Sequence, residues 1–142
     1  MKIAAIQMNS THSVSENLDI LEPLFLKASE QGVRLVLLPE NFAFMGSRKQ
    51  LVSDIMEDFN DGPIQSFVAE KAKKHGIWII AGSIPIKNHD QSRSYARCMV
   101  FDSNGALISF YDKIHLFDVV VNEKIYKESS FIEPGSTPVS IQ

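Results

Sequence analysis

Val33-Arg34-Leu35-Val36-Leu37-Leu38-Pro39-Glu40-Asn41-Phe42 is the stretch that decides the fold. Residues 33–38 form a short, nearly continuous apolar run, the pattern of a strand covered on both faces. Pro39 ends the run and Glu40 stands just past it. Residues 77–84 repeat the pattern and hold the single tryptophan, Trp78. Helical signals flank these two strands. Ser13 and Glu16 have capping-box spacing, Leu18, Leu21, Phe25 and Ala28 follow at helical intervals, and Gly32 is placed to end that helix. Asp61-Gly62-Pro63 opens another helix with proline in its first turn, and Gly76 lies past its end.

Farther out, residues 2–9 read as a first strand carrying Ile3, Ala5 and Met8, and a helix is expected near residues 48–57. Residues 94–102 and 106–112 read as a hairpin joined through Ser103-Asn104-Gly105, because Asn-Gly tolerates the positive φ of a tight turn. From Lys113 onward mostly loop is expected, with Pro134-Gly135 as a turn before a last strand at 137–141. Strands that alternate with helices and then pair as a hairpin give an α/β fold with a mixed sheet. One tension remains in this pattern. The sheet asks for cover on both faces, whereas two long helices pack most simply on one.

The chain of 142 residues is one domain's worth, and no internal repeat divides it. Hydrophobic residues at 44% and charged residues at 22% exclude a disordered chain. The net charge is −3 and the basic residues are scattered, so no nucleic-acid partner is expected. The apolar runs are too short to span a bilayer, and the N-terminal one is too short for a signal peptide. No membrane partner is expected. One cysteine fits a reducing compartment, and the cytoplasm is the expected location.

Two residues, Glu40 and Lys113, stand where chemistry is placed in such folds, and Glu128 is a weaker candidate. Glu40 ends a strand, where ligands gather in α/β sheets, and its apolar neighbours predict partial desolvation, which favours a base. Lys113 ends the hairpin's second strand and can stabilise negative charge that develops on a carbonyl oxygen. Glu128 lies in a loop, where a glutamate is ordinarily surface. Cys98 stands in mid-strand, a position that rarely gives a nucleophile access or a base, so it reads as structural. His12, His75, His89 and His115 show no metal-ligand spacing.

Leu37-Leu38-Pro39-Glu40, Lys113-Ile114-His115-Leu116-Phe117-Asp118 and Glu128-Ser129-Ser130-Phe131-Ile132-Glu133-Pro134-Gly135 resemble three successive signature segments of the nitrilase, or carbon–nitrogen hydrolase, superfamily. The opening Ile3-Ala4-Ala5-Ile6-Gln7-Met8 and the run Ile80-Ala81-Gly82-Ser83 resemble two more. The five segments span nearly the whole chain in the family's order. They are most similar to the branch of amidases acting on deaminated glutathione or on ω-amides of 2-oxo acids.

The resemblance implies a glutamate–lysine–cysteine triad in a four-layer αββα sandwich. Glu40 would be the general base, Lys113 would support the tetrahedral oxyanion, and Glu128 would be the second glutamate that positions substrate and assists proton movements. The implied chemistry is hydrolysis of a small-molecule carboxamide through a cysteine thioester, with no metal or organic cofactor. In the family the cysteine follows the last matched segment and is expected about a dozen residues beyond Gln142. Residues 1–142 therefore read as the N-terminal part of such a domain, about one half of the sandwich with helices on one face, and inactive alone. A homo-oligomer or a second-half partner is expected to cover the exposed sheet face. The alternatives are a non-catalytic half-fold that binds through this face, an N-carbamoyl hydrolase, or a glutaminase domain.

Overall fold

The computed structural model describes residues 1–46 and 52–141. Five strands form one sheet in sequence order: β1 (Ile3–Ala5), β2 (Leu35–Leu37), β3 (Trp78–Lys87), β4 (Ser94–Phe101) and β5 (Leu107–Asp112). The pairs β1–β2 and β2–β3 are parallel, and β3–β4 and β4–β5 are antiparallel. Parallel neighbours need a crossover. Helix α1 (Val14–Glu30) carries the chain from β1 to β2, and α2 (Pro63–His75) lies on the way from β2 to β3. Two crossovers of the same hand, stepping across a sheet in the same direction, put both helices on one face. They share a single core, in which Leu21 and Phe25 of α1 and Val68 and Ala72 of α2 cluster with Val36 and Ile79 of the sheet. Glu22 of α1 ties the helices together from outside. Lys71 and Lys74 of α2 hydrogen-bond to its carboxylate and hold its pKa down to about 2.

The opposite face is bare over β1 and β2, while Val100 and Ala96 of β4 are buried on it. Ile3, Leu35 and Trp78 form one cross-strand row on it, and Leu37, Ile80 and Val100 form a second. Ile3 is 57% exposed and Leu37 is 43% exposed. The strand expected at 33–38 thus has cover on one face only. The architecture is a mixed sheet with helices on one face, half of a four-layer αββα sandwich. No helix among the described residues is long and apolar enough to cross a membrane.

The helix ends follow the sequence signals, with two changes. The Ser13 hydroxyl accepts the Glu16 N–H at 3.4 Å. The reciprocal half of the capping box is missing, because Thr11 takes both places. Its hydroxyl accepts the Ser13 N–H at 3.1 Å and donates to Glu16 Oε2 at 3.1 Å. Helix α2 starts at Pro63 and is capped from a distance. The buried Glu57 carboxylate accepts the N–H groups of Ile64 at 2.5 Å and Gln65 at 3.1 Å, satisfying two otherwise orphaned donors. Of the helix expected at 48–57, residues 48–51 lie outside the described residues. Only residues 52 and 53 of the remainder are helical, and Glu57 instead bridges to Ile86 beside β3.

Strand lengths also shift: β1 covers less than 2–9, and β3 runs past Ile84 to Lys87. The β4–β5 hairpin forms as expected, with Gly105 at φ 80° and Asp102 Oδ1 accepting the Asn104 and Ala106 N–H groups. After β5 the chain forms a second hairpin, β6 (Asp118–Val121) and β7 (Lys124–Lys127), where loop was expected. Its turn is Asn122-Glu123, both at positive φ but without the glycine that usually marks such a turn. Both strands are largely exposed, so no alternation of core and surface residues announces them. The strand expected at 137–141 does not form; these residues are exposed and make no β ladder among the described residues, and Thr137 and Val139 line a shallow hollow with Tyr95 and Tyr111.

The bare face sets how this chain behaves on its own. At micromolar concentration the 142-residue chain is expected to self-associate and bind a hydrophobic dye, and Leu37→Lys to reduce both. Sedimentation decides this: a sharp, dye-free monomer in the unsubstituted chain contradicts an uncovered apolar face.

Candidate active site

Strand direction explains which side chains meet. β5 is antiparallel to β4, which is antiparallel to β3, so β5 runs the same way as β3 and β2. The carboxyl ends of β2 and β5 therefore share one edge of the sheet, where ligands collect in open α/β folds. Glu40 lies three residues past β2 and Lys113 directly follows β5. Strand alternation puts Lys113 with Tyr111 on the bare side, opposite Asp112. β3 and β4 separate the two strands, so contact requires the full length of both side chains.

That contact is made. Lys113 Nζ lies 2.7 Å from Glu40 Oε1 and 3.1 Å from each Glu128 carboxylate oxygen. The structure thus brings Glu40, Lys113 and Glu128 together on one ammonium. Burial draws the Lys113 pKa down, but the hydrogen bonds it donates to Glu40 and Glu128 outweigh it and hold the pKa above the ordinary lysine value. The ammonium is therefore charged at neutrality, and the stabilisation it gains is lost only as pH rises through that raised value. The side chain of Glu128 is 17% exposed, well removed from the ordinary loop-surface state. That of Glu40 is 55% exposed, which corrects the expected desolvation: its apolar sequence neighbours turn into the core or lie beside it, and the side above the carboxylate is uncovered.

Backbone contacts hold each of the three residues from both sides. Before Glu40, the Pro39 carbonyl lies against Gly82; a Cβ built on Gly82 would fall 1.9 Å from that oxygen. After Glu40, the Asn41 N–H donates to Ser83 Oγ at 2.9 Å. The fully buried Asn17 then fixes the following loop, donating from Nδ2 to the carbonyls of Ala43 at 2.8 Å and Thr11 at 2.9 Å. Lys113 donates its N–H to the Ala96 carbonyl and accepts at its own carbonyl from Gly135 N–H, at 3.1 and 2.9 Å. Just ahead of it, Asp112 accepts a bidentate pair from Arg97 at 2.7 and 2.8 Å, and the guanidinium stacks 4.1 Å from the Phe110 ring centroid. Glu128 opens a 3₁₀ turn, Glu128–Ser130; its N–H donates to the Phe117 carbonyl at 3.4 Å, its carbonyl accepts the Phe131 N–H at 3.1 Å, and its carboxylate accepts the Phe117 N–H at 2.6 Å. Asp118 clamps the base of the hairpin by accepting the N–H and hydroxyl of Ser129 at 2.9 and 2.5 Å, which hold its carboxyl below the usual carboxylate range.

Asn17, Gly82, Ser83 and Asp118 support these residues and were not singled out from the sequence as supports. One signal was present: a glycine inside an apolar strand marks a bulge or a close backbone approach, and Gly82 lies at both. An open cleft lined by Phe44, Ser83, Pro85, Ala96, Phe131 and Ile132 lies beside Glu128. Cys98 pairs with Tyr111 in mid-strand, and burial pushes its thiol up, away from the thiolate form a nucleophile needs. No group of three or more histidine, cysteine, aspartate or glutamate side chains among the described residues is placed to hold a metal ion.

A half-sandwich with a carboxylate–ammonium–carboxylate cluster at the carboxyl edge of its sheet defines a class, and sequence comparison gives its name. Residues 2–142 match the carbon-nitrogen hydrolase family, and the chain belongs to it. Within the family it groups with the deaminated-glutathione amidases and omega-amidases. It is 35% identical over 136 residues to a deaminated glutathione amidase from Yersinia enterocolitica, covering 94% of this chain and 47% of that protein. It is 34% identical over 137 residues to the human omega-amidase NIT2, covering 96% and 48%. Among solved structures, the Caenorhabditis elegans NitFhit protein superposes with a TM-score of 0.84 at 30% identity, over 94% of this chain and 33% of that one. A variant of an amidase of the nitrilase superfamily from Nesterenkonia superposes with a TM-score of 0.79 at 25% identity, over 97% and 50%. The chain spans about half the length of the curated relatives it matches.

The Gly82 contact carries an expectation of its own. Gly82→Ala forces a methyl group onto the Pro39 carbonyl and should lower stability by about 1–3 kcal/mol, read as a lower denaturant midpoint. An unchanged midpoint contradicts the close approach.

Proposed function

We propose that this chain carries the glutamate and lysine residues of an amidase site that hydrolyses a small-molecule carboxamide. The observation that carries the reading is the Lys113 ammonium held between Glu40 and Glu128. In this reading a cysteine from the part of the full-length protein that follows Gln142 attacks the amide carbon. Glu40 takes the thiol proton and passes it to the leaving nitrogen, so the C–N bond breaks with release of ammonia and a thioester remains. Glu40 then takes a proton from water, whose oxygen adds to the thioester, and the acid and the thiol are released. Lys113 faces the oxyanion of both tetrahedral intermediates. Glu128 fixes the ammonium and borders the substrate cleft. That a cysteine does this work is supported by the solved Nesterenkonia amidase, which has an active site cysteine. The relatives named for deaminated glutathione and for omega-amides favour a substrate of that kind, ahead of N-carbamoyl compounds or glutamine.

The exposed outer face favours a second reading, in which the half-fold is a non-catalytic interaction module. In either reading that face is covered, by the second half of the sandwich or by another copy.

Ammonia release from small ω-amides separates the two. In the full-length protein, Glu40→Gln and Lys113→Ala should each lower kcat by about a hundredfold to ten-thousandfold with the fold intact. Lys113→Arg should also fail, because a broad planar guanidinium does not replace a compact ammonium. Glu128→Gln should damage turnover, Cys98→Ala should leave it nearly unchanged, and the 142-residue chain alone should release no ammonia. Near-normal turnover in Glu40→Gln sinks the catalytic reading.

A further inference from the structure

We propose that Ser83 is a positioning residue for Glu40, holding that carboxylate against Lys113 through the backbone of Asn41; the proposal rests on the reading of Glu40 as the base. β3 loses register with β4 between Ala81 and Ile84, and Gly82 and Ser83 are the two residues inside the break. A bulge of this kind re-aims side chains and is over-represented beside active sites. Here it brings Ser83 to the chain leaving β2. Ser83 Oγ accepts the Asn41 N–H at 2.9 Å and donates to Asn41 Oδ1 at 3.3 Å. The residue is 8% exposed, so water hardly competes for the hydroxyl.

The pair stabilises a turn that needs support. Asn41 is left-handed at φ 56°, a conformation that asparagine tolerates better than most L-residues when its side chain is hydrogen-bonded locally, as Oδ1 is here to Ser83. With the Pro39 carbonyl seated on Gly82, the peptides on both sides of Glu40 rest on the same bulge of β3. Among the described residues Lys113 is the only hydrogen-bond partner of the Glu40 carboxylate, and the side chain is otherwise half exposed. The backbone therefore aims it. Without the Ser83 hydroxyl the Asn41 N–H loses its acceptor, the left-handed turn relaxes, and Glu40 leaves Lys113. Lys113 retains Glu128, so the ammonium stays in place while the base does not.

Crystal structures and steady-state kinetics of the full-length protein test this with Ser83→Ala, Ser83→Thr, Glu40→Gln and the Ser83→Ala/Glu40→Gln double variant. In Ser83→Ala the Glu40–Lys113 contact should open beyond hydrogen-bond reach, and kcat should fall at least about tenfold with KM within about twofold. Ser83→Thr keeps a hydroxyl and should restore both. In the Glu40→Gln background Ser83→Ala should add nothing, because its effect passes through Glu40. A serine that is only structural would leave the contact closed and add the same loss in both backgrounds; either result overturns the proposal. Should Ser83→Ala fail to fold, Ser83→Val compared with Ser83→Thr isolates the hydroxyl at equal side-chain volume, and the same contact decides. A full-length protein without amidase activity would defeat the reading of Glu40 as a base, while the crystallographic contact would still judge Ser83.

Discussion

The order in which the chain lays down its first three strands constrains everything else. β1, β2 and β3 step across the sheet in one direction, so crossovers of one hand must deliver α1 and α2 to the same side. No choice of side chains could move one helix to the other face without reversing a step. The apolar rows through Leu35 and Leu37 are therefore complete on the outer side and left without cover there. The candidate site inherits this asymmetry. Lys113, Tyr111, Ala96 and Pro85 lie on the outer side by strand alternation, and the cleft beside Glu128 opens there as well.

The charges at the site are incomplete in the same sense. One ammonium between two carboxylates leaves an excess negative charge, and with Glu40 half exposed the pair it makes with Lys113 is of the weak, solvent-screened kind. Covering the outer face would change both facts together. It would remove water from Glu40, strengthen each attraction to Lys113, and make the unbalanced negative charge costly. A layer that covers this face therefore does more than bury Ile3 and Leu37. It sets the environment in which Glu40 could act as a base.

Much of this was legible in the sequence, and the failures have physical causes. The apolar runs around Val36 and Ile79, the helical stripe Leu21–Phe25–Ala28 and the Asn104-Gly105 turn each belong to an element whose burial or backbone geometry prints a local pattern. Glu40, Lys113 and Glu128 stood out as a set only once the signature segments were read together. The β6–β7 hairpin left no mark because it is exposed and its turn lacks glycine. The run 137–141 resembled a strand but forms no ladder among the described residues, although β5 leaves one edge of the sheet open. The desolvation of Glu40 was inferred from Leu38, Pro39 and Phe42, yet burial depends on what lies above the sheet, and sequence neighbours do not report that. The capping of α2 by Glu57 was hidden because its partners lie seven and eight residues on, outside any local capping rule.

The three candidate site residues come from three different kinds of element: a strand exit, a hairpin end and a 3₁₀ turn. Loops ordinarily hold functional groups less rigidly than strands do. Here each flank is tied to the sheet or to the hairpin base: Pro39 and Asn41 to the β3 bulge, Lys113 to Ala96 and Gly135, and the Glu128 N–H to the Phe117 carbonyl, with Ser129 bonded to Asp118. The tethers are main-chain bonds, close backbone contacts and short side chains, which lose little rotamer freedom and bend little. The long side chains of Glu40 and Lys113 supply reach, and the tethers supply aim. A site built this way has its charged groups converging before any covering layer arrives, so covering it has only to exclude water from a geometry already in place.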